Sequence, residues 1–579
     1  MQYRGTRFVV RLSLAGIVAA LIAMVLMSPT PVEARVPAAS LAGRVFTVAG
    51  ALRWTGSSDE SRLATAALFQ DPAPAPLRDG GFLIDDTNHD RVLRVWPSGR
   101  FSIVAGGAEG EQLGDGGPAT RATLTDPQGI AALPHGGFLI ADTLDNRVRR
   151  VWPDGHISTV AGNGSRRPLD DGRLATRASV YEPGGVAVLP DGGFLIADSG
   201  HNRVRRVWPN GRISTVAGDG RDGFSGDGGR ATRAKLSDPE ALAVLPRGGF
   251  LIADTFNDRV RRVWPDGHIS TVAGNGKDEP LGDGGPARSA GLDYPSSVAA
   301  MPAGGILIGT GAGGVRRVWP DGHISTVFAC CGGLPGDGGP VARAELYGQG
   351  YSAAVATLPD GGMLVGYGTT VRLVLGSGAP RLLGAAIRSL EGVASRHAYQ
   401  PPIVLTEPAH VTIRIYRRPG GRPLVTTQAF RPAGESSLRI RLGGLAPGLY
   451  GVDLLARSGS QVTRAEQWVY LGGSLTTGSV RSVLNGILED ELSSNPNAVV
   501  AVGSCHRFNS LRVDCPITGD FGNFVVASFL TREGQLRSRA YGLRRQDHKT
   551  LFELHPPWIG PTIWTDLGGA WAPGFGAEY

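Results

Sequence analysis

The sequence predicts a mostly β protein whose larger, N-terminal part is a β-propeller. The stretch NRVRRVWPNGRISTVAG, residues 202–218, recurs almost unchanged at residues 146–162 and 258–274. Tryptophan marks each copy, at positions 96, 152, 208, 264 and 319. A fixed spacing of about 56 residues indicates one supersecondary unit repeated along the chain. Each unit contains four short apolar runs separated by turn sequences, which is typical of a four-stranded propeller blade.

Composition agrees with a globular β protein and favours a dispersed basic surface over a dedicated polyanion-binding patch. The chain has 579 residues, of which 41% are hydrophobic, 19% are charged and 86 are glycine. The glycines suit many turns. The formal net charge is +7, but no run of like charges forms a block, so a dispersed basic surface is expected and nucleic acid is not a predicted partner.

Residues 1–34 have the features of an export signal. Arg4, Arg7 and Arg11 precede an apolar stretch over residues 12–27, and Val32-Glu-Ala34 supplies a small-residue cleavage site. Cleavage is predicted, with an uncleaved N-terminal membrane anchor as the alternative. Either way, residues 35 onward leave the cytoplasm, as expected for a protein that is secreted or held at the cell envelope. No membrane span is predicted in the mature chain.

The repeat unit beginning at Leu124 shows the predicted blade in full. Its strands are expected at 129–133, 137–141, 147–152 and 156–161. In the third strand, Trp152 is expected to pack between neighbouring blades as a large apolar anchor. The arginines of that strand are expected to cover apolar surface with their stems while their head groups stay in water.

Two motifs carry a resemblance to a known family. The string ADT-x-x-N-R-V-x-R-V, followed by PDG and TVAG, resembles the NHL repeat. The element GDGGPATRAxLxxP resembles a longer variant in secreted bacterial NHL proteins and in teneurin-type NHL domains. It occupies residues 114–127, 226–239, 282–295 and, in part, 336–346. The resemblance implies a six-bladed propeller over residues 43–384, and six glycine-led second strands are present, at Gly81, Gly137, Gly193, Gly249, Gly305 and Gly362.

The fourth-strand motif predicts how the ring closes. A copy at residues 43–50 precedes the first unit, whereas the last copy, at residues 378–384, has lost Thr-Val-Ala and gained Pro380. A closed ring needs one fourth strand per blade, so Val45–Val48 is predicted to be the outer strand of the last blade. Closure of this kind removes the open edges of a linear array.

Aspartates recur at one end of the predicted blades. The loop after the fourth strand and the turn after the second strand fall at the same end of an antiparallel blade. This candidate ligand face contains Asp115, Asp227, Asp283 and Asp337 in the loops and Asp142, Asp198 and Asp254 in the turns. Two interpretations stay open: each aspartate bonds its own turn backbone, or the acidic loops bind calcium or a cationic partner.

The mouth of the central channel is the other candidate site. The innermost strands begin with Gln128, Glu240 and Ser296 among their first side chains, so Glu240 is the only ionisable residue expected there. Gluconolactonase-like propeller enzymes hold a channel metal with several carboxylates. The sequence therefore favours an exported, non-catalytic propeller for recognition or adhesion. Its expected ligand is a protein or glycan at the cell envelope. No cofactor is expected, with calcium as the one alternative.

The alternative function is a propeller enzyme of lactonase or lyase type with a channel metal. Three or more carboxylate, Asn or His side chains at the channel would favour that alternative.

The C-terminal third changes character. Short strands over residues 398–473 predict a β-sandwich, and LAPGLYGVDL at 445–454 is similar to the Ig-like domain of flagellar-hook-capping-type proteins. Residues 474–579 are predicted to form a small α+β domain with a helix at 480–488 and an irregular tail. Cys505 and Cys515 are predicted to form a disulfide, and Cys330 and Cys331 form a possible vicinal pair.

Overall fold

The structure, a computed structural model, describes residues 42–50, 63–67, 69–108, 113–167, 171–278, 282–311, 314–330, 341, 345–346, 352–376, 385–387, 393–394, 398–417, 422–442, 445, 448–471, 500–502, 506–509, 512–519, 522–530, 536–542 and 550–554. The predicted targeting segment, residues 1–34, and the predicted helix at 480–488 lie outside these ranges. Both stay predictions.

Six β-sheets follow one another along the N-terminal part of the chain. Their strands are β1 (Val45–Ala49); β2–β5 (Pro72–Pro76, Phe82–Asp86, Arg91–Val95, Phe101–Gly106); β6–β9 (Pro127–Ala132, Phe138–Asp142, Arg147–Val151, Ile157–Ala161); β10–β13 (Pro183–Val188, Phe194–Asp198, Arg203–Val207, Ile213–Ala217); β14–β17 (Pro239–Val244, Phe250–Asp254, Arg259–Val263, Ile269–Ala273); β18–β22 (Pro295–Ala300, Ile306–Thr310, Val315–Val318, Ile324–Cys330, Glu345–Leu346); and β23–β25 (Ala354–Thr357, Met363–Tyr367, Thr370–Val374). Each of these predicted blades is an antiparallel sheet, extended in one case by the parallel strand β22.

The six sheets form a closed ring. The innermost strands β2, β6, β10, β14, β18 and β23 contact one another in that order, and β23 contacts β2 again. Short 3₁₀ helices lie in the connections, at Ala64–Ala66, Thr87–His89, Ala119–Arg121, Ala175–Arg177, Ser199–His201, Ala231–Arg233, Thr255–Asn257 and Ala287–Ser289. Across the described ranges, no helix has the length and apolar character needed to cross a membrane.

The ring closes through its N-terminal strand, which confirms the prediction from the sequence. Strand β1 pairs antiparallel with β25, with Val45 opposite Val374 and Phe46 opposite Leu373. The side chain of Phe46 is fully buried in a cluster that joins the first and last blades. The last blade therefore takes three strands from the end of the propeller sequence and one from its beginning.

The long connections between blades cover the outer edge of each sheet. In the second blade, Gly116 N donates to Ile157 O at 2.8 Å, and Ile157 N donates to Gly117 O at 3.0 Å. Pro118 and His156 form a bridge, and equivalent bridges recur in four other blades. The alanines that follow, Ala119 and Ala122, are buried against the sheet. An outer strand covered in this way does not offer an unpaired edge to another chain.

The recurring tryptophans do not pack between blades, so that expectation is wrong. Trp152 is 38% exposed, and its indole N–H donates to Ser158 Oγ at 2.9 Å. The Arg150 guanidinium carbon lies 3.6 Å from the Trp152 ring centroid, and the same stack recurs in four other blades. Trp152 lies just beyond β8, at the start of the hairpin turn. Its backbone N–H donates to His156 O across that turn. Smaller side chains fill the seams between blades instead, including Phe138, Ile140, Val151 and Ile157.

A second group of strands follows the propeller. These are β26 (Ala385–Ile387), β27 (Val393–Ala394), β28 (Ala398–Gln400), β29 (Pro402–Leu405), β30 (Ala409–Tyr416), β31 (Val425–Arg431), β32 (Gly434–Ser437), β33 (Ile440–Arg441), β34 (Gly448–Ser458) and β35 (Gln461–Leu471). They make the sheets β31-β30-β34-β35, β26-β29-β32 and β27-β28-β33. One buried cluster draws from all three sheets and includes Tyr399, Ile403 and Ile413. The Ig-like assignment of residues 398–473 stays a prediction.

These sheets contact the first blade and the closing strand. Val462 N donates to Ser98 O at 2.8 Å in the turn between β4 and β5, and Val462 packs with Leu63 and Leu455. A Cβ on Gly99 would lie 1.9 Å from Val462 O, so the contact requires glycine. Arg44, just before β1, lies 3.7 Å from Glu435. The C-terminal sheets therefore pack where the ring closes.

The last described sheet lies within residues 500–554. Its strands are β36 (Val500–Val502), β37 (His506–Asn509), β38 (Arg512–Gly519), β39 (Gly522–Leu530), β40 (Leu536–Gly542) and β41 (Thr550–Leu554), with β38, β39, β40 and β41 paired in that order. The sequence predicts strands at 498–502, 511–513, 524–530 and 536–541, and β36, β38, β39 and β40 lie there, whereas β37 and β41 are additional. Strand β37 forms a hairpin with β38, and His506 lies opposite Asp514.

We predict that Cys505 and Cys515 are joined by a disulfide in the exported protein. Cys505 and Cys331 lie outside the described residues, so neither cysteine pairing is tested. The register of β37 against β38 places the residues next to the two cysteines opposite each other. Closing a loop of about ten residues is expected to contribute roughly 2–3 kcal/mol. Peptide mapping by mass spectrometry without reductant should recover the linked peptide; free thiols at both positions would refute the prediction.

Candidate functional site

A buried arginine brings the predicted loop and turn aspartates together. Arg149, in β8, has a fully buried side chain. It donates to Asp142 Oδ2 at 3.0 Å and to Asp115 Oδ1 at 2.8 Å. Arg205 and Arg261 make the same two contacts in the next blades, with Asp198 and Asp171 and with Asp254 and Asp227. The loops and turns therefore do lie at the same end of each blade, as predicted.

The turn aspartates are internal, which corrects their assignment to a ligand face. Asp142, Asp198 and Asp254 have no exposed surface. In each case Oδ1 accepts a backbone N–H from the segment that precedes the inner strand, as Asp142 does from Thr125 at 2.8 Å. The turn aspartates of the second, third and fourth blades thus bind their own blade's backbone and arginine, in agreement with the structural interpretation.

The loop aspartates are half-exposed but also engaged. Asp283 accepts from Arg316 at 2.7 Å through Oδ1 and from Thr326 N at 2.9 Å through Oδ2. Burial opposes ionisation of Asp283, but Thr326 and Arg316 together hold its pKa below the ordinary value. Asp115 and Asp227 pair with their arginines in the same way, and Asp337 lies outside the described residues. These carboxylates fasten the edge-covering loop to strands three and four of the blade.

The arginines of the third strand divide into two classes. Arg150 is partly exposed, but its guanidinium group rather than its stem lies over the Trp152 ring. Arg149 is fully buried, and its guanidinium group bonds to Asp142 and Asp115 rather than to water. The first blade has Leu93 at the position of Arg149, and there the retained aspartate, Asp86, pairs with Arg91 instead.

A cavity of about 350 Å³ opens at the channel mouth. The start of β6, β10 and β14 and the turns after β7 and β11 form its wall. The lining residues are Asp126, Gln128, Thr143, Leu144, Glu182, Ser199, Asp238 and Glu240. Gln128 and Glu240 are thus placed where the sequence predicts them, whereas Ser296 is not among the lining residues. The expectation of one ionisable group is wrong, because four carboxylates line the cavity.

Each of the three additional carboxylates lies directly before the proline that begins an inner strand. Asp126, Glu182 and Asp238 have φ values of 52°, 47° and 47°, in the left-handed region. This conformation is uncommon for glutamate. Each backbone N–H is held by a side chain of the preceding blade, as Glu182 N is by Asn146 Oδ1 at 2.9 Å. The dipeptides Asp-Pro, Glu-Pro and Asp-Pro at 126, 182 and 238 are the sequence signal for these residues.

The turns that close the mouth also tie neighbouring blades together. Thr143 Oγ1 donates to Pro183 O at 2.9 Å, and Ser199 Oγ donates to Pro239 O at 2.7 Å. Both hydroxyl groups therefore donate their hydrogen bonds to backbone carbonyls of the cavity wall. The carboxylates remain as the groups that can receive a ligand's hydrogen bonds.

The mouth concentrates negative charge without a compensating cation. Within the described ranges, none of its four carboxylates pairs with an arginine or lysine. Burial and then repulsion from Asp238 raise the pKa of Glu240 to about 8. Burial, followed by repulsion from Glu182 and Asp222, raises the pKa of Asp238. Burial also raises the pKa of Asp126, although the Gln128 amide, 2.9 Å from Asp126 Oδ2, opposes this shift.

Glu240→Gln is expected to stabilise the protein increasingly as pH rises. Below pH 4.5, the ordinary pKa, Glu240 is protonated in folded and unfolded protein alike. Between pH 4.5 and about 8 the unfolded chain ionises first, so wild-type protein loses folding free energy that the glutamine variant keeps. Thermal melts from pH 4.5 to 9 should show a difference in Tm that grows and then levels off. The exposed Asp154→Asn variant should show no such growth, and an equal pH dependence in both variants would contradict the prediction.

The carboxylates of the mouth do not form a metal centre. Among the described residues, no three His, Cys, Asp or Glu side chains converge closely enough to hold a metal ion. The acidic groups are instead spread around the cavity wall. The arrangement can present several separate acceptors to one ligand, and it can bind or release protons near neutral pH.

The propeller region is similar in sequence to parts of known proteins. The model of the NHL repeat matches residues 181–207. Mouse teneurin-1 is 31% identical over 266 residues, covering 39% of this chain and 10% of the teneurin. Human teneurin-4 is 31% identical over 268 residues, covering 40% and 10%. Fruit fly teneurin-m is 34% identical over 139 residues, covering 21% and 5%. The chain thus spans about a tenth or less of the length of these relatives.

Two solved structures resemble the chain in fold. A streptogramin B lyase has a TM-score of 0.33 at 12% identity, covering 53% of this chain and 96% of the lyase. A protein of unknown function from Bacteroides thetaiotaomicron has a TM-score of 0.41 at 15% identity, covering 57% and 75%. Likeness at this level carries no inference about function. The residues that match the NHL repeat model lie in the third blade, and the same sequence motifs and four-stranded sheets recur in the neighbouring blades.

Proposed function

We propose that this chain is an exported, non-catalytic propeller protein that acts in recognition or adhesion at the cell envelope. The observation that carries the proposal is the channel mouth, a cavity lined by four carboxylates that pair with no arginine or lysine of the described residues. The buried turn aspartates of the second, third and fourth blades are used within the blade, in pairs with arginine. The similarity of the repeats to those of teneurins supports an interaction role.

A pull-down from native envelope tests this proposal. The intact exported protein should retain the same partner, protein or glycan, in repeated preparations. The double variant Glu182→Gln/Asp238→Asn should retain much less of it, since two acceptors of the mouth are lost. Asp154→Asn is the matched control, because it removes a carboxylate in the turn after β8, at the opposite end of the blade. Equal retention by all three proteins would overturn the use of the mouth in recognition.

An enzyme of lactonase or lyase type is the second candidate, because the mouth meets the criterion of three or more carboxylates. A carboxyl group with a pKa of about 8, as at Glu240, can act as a general acid near neutral pH. A panel of lactone and ester substrates, with and without divalent metals, together with elemental analysis, tests this candidate. Turnover abolished by Glu240→Gln, or stoichiometric zinc or manganese, would favour the enzyme over the recognition protein.

A further inference from the structure

An exposed tryptophan with an arginine stacked on it lies beside the hairpin between the third and fourth strands of five blades. The guanidinium carbon is 3.5–3.6 Å from the indole centroid in each blade, and 38–41% of each tryptophan is exposed. These Arg–Trp stacks are Arg94–Trp96, Arg150–Trp152, Arg206–Trp208, Arg262–Trp264 and Arg317–Trp319. Because smaller side chains fill the seams between blades, the stacks are not part of the core and are accessible to a ligand.

In the first and third blades, the arginine of the stack holds a carboxylate of its own blade. Asp79 Oδ1 accepts from Gly81 N at 3.0 Å within the turn before the second strand, and its Oδ2 accepts from Arg94. Asp191 holds Arg206 in the same way in the third blade. A guanidinium group stacked on its indole is thus placed to bind a carboxylate at the same time.

The second, fourth and fifth blades keep the stack but lack this carboxylate. The turn position of Asp79 and Asp191 is occupied there by His135, Arg247 and Ala303. Within the described ranges, no carboxylate pairs with the stacked arginines of these three blades, which are Arg150, Arg262 and Arg317. Burial lowers the pKa of all three guanidinium groups, and no described carboxylate offsets that effect. A partly desolvated arginine without an anion of its own favours an anion from outside the chain.

The surroundings of these three stacks favour a sugar that carries a carboxylate. The indole N–H already donates to a serine hydroxyl, that of Ser158, Ser270 or Ser325, so the exposed part of the indole offers apolar surface. A half-exposed histidine lies directly across the hairpin turn, at 156, 268 and 323. The C–H face of a pyranose ring can pack on such an indole while its carboxylate reaches the guanidinium group and its hydroxyls reach the histidine.

We propose that the Arg–Trp stacks of the second, fourth and fifth blades bind uronic acid residues of an acidic polysaccharide. Three like sites occur in one molecule, so a polymer that repeats its uronic acid can occupy more than one of them at once and gains avidity. This surface is separate from the channel mouth, because Trp152 lies at the hairpin turn after β8, at the opposite end of the blade. The inference therefore goes beyond the proposed function and does not depend on the mouth.

Calorimetry with oligogalacturonate tests the inference on the full exported protein. The charged oligosaccharide should bind roughly tenfold or more tightly than its methyl-esterified form, and more weakly as ionic strength rises. Poly-L-glutamate of matched charge is the second probe and should bind more weakly, because it has no sugar ring to pack on the indole. Equal binding of the charged and esterified oligosaccharides would overturn the inference. Equal or tighter binding of polyglutamate would overturn the assignment to a sugar in favour of an acidic peptide.

A variant that copies the third blade separates binding from folding. His135→Asp/Arg247→Asp/Ala303→Asp places a carboxylate where Asp191 already has one. Its melting temperature should match that of the wild-type protein, while oligogalacturonate binding falls by roughly tenfold because the new carboxylates occupy the guanidinium groups. Asp191→Ala should have the opposite effect and tighten the binding, since it frees Arg206 as a further site.

Arg422→Glu/Arg439→Glu is the matched control for charge. It changes the formal net charge by the same amount as the triple variant, at exposed positions in the sheets that follow the propeller. This control should retain most of the affinity. Unchanged affinity in the triple variant, an equal loss in the charge control, or no gain of affinity in Asp191→Ala would each contradict the inference.

Discussion

Replacing Arg205 by methionine is expected to lower the free energy of unfolding of the propeller by about 3–5 kcal/mol. Arg205 is fully buried and holds Asp198 at 3.2 Å and Asp171 at 2.7 Å. Methionine fills much of the same volume but leaves the carboxylate of Asp198 buried without its cation. It also releases the loop that covers the outer edge of the third blade. Urea denaturation followed by tryptophan fluorescence measures the loss.

The adjacent arginine provides the matched control. Arg206 stacks on Trp208 with its guanidinium carbon 3.6 Å from the ring centroid and pairs with the half-exposed Asp191. Because this pair is in contact with solvent, Arg206→Met is expected to cost only about 1 kcal/mol. Similar losses for the two variants would contradict a structural role for the buried ion network.

Removing the ring closure is expected to have the other large effect. Phe46→Ala should destabilise the propeller by about 3–5 kcal/mol, because the buried ring of Phe46 joins the first and last blades. Deleting residues 42–50 should go further, since it leaves β25 as an unpaired edge strand and invites association between molecules. Denaturation curves and size-exclusion chromatography detect the two effects.

Ile103→Ala is the control for the closing strand. Ile103 also lies in an outer strand, β5, but 40% of its surface is exposed, so its loss should change stability by about 0.5 kcal/mol. Wild-type melting of the deletion variant, with no increase in oligomers, would refute a role of β1 in holding the ring.

The blade architecture is predictable from the sequence because it depends on short-range information. Turn residues, period-two alternation and a fixed repeat length all act within one blade, and the strands of the second blade fall within two residues of their predicted bounds. Ring closure is predictable as well, because the surplus fourth-strand motif at 43–50 and the degraded one at 378–384 form a matched pair.

The buried arginines and the acidic mouth depend on contacts that the repeat pattern does not show. Arg149 is internal only because Asp115, from the loop before the blade, reaches it. Side chains on both faces of β8 are buried, as Val148 and Val151 are, so alternation alone does not predict which arginine is internal. Three of the four mouth carboxylates precede a proline, a position that usually favours extended backbone. The left-handed conformation at Asp126 and Glu182 instead turns these residues into the cavity.

Strand β1 can pair with β25 only late in the synthesis and folding of the chain. A chain made from its N-terminus exposes β1 first, yet β25 follows roughly 330 residues later, and joining ends that far apart costs on the order of 5 kcal/mol of loop-closure entropy. The five-residue strand VFTVA therefore waits as an apolar segment without a partner while five other blades form. Its exposure ends only when the last hairpin is complete, so ring closure is expected to be the slowest step of folding and the step most open to aggregation.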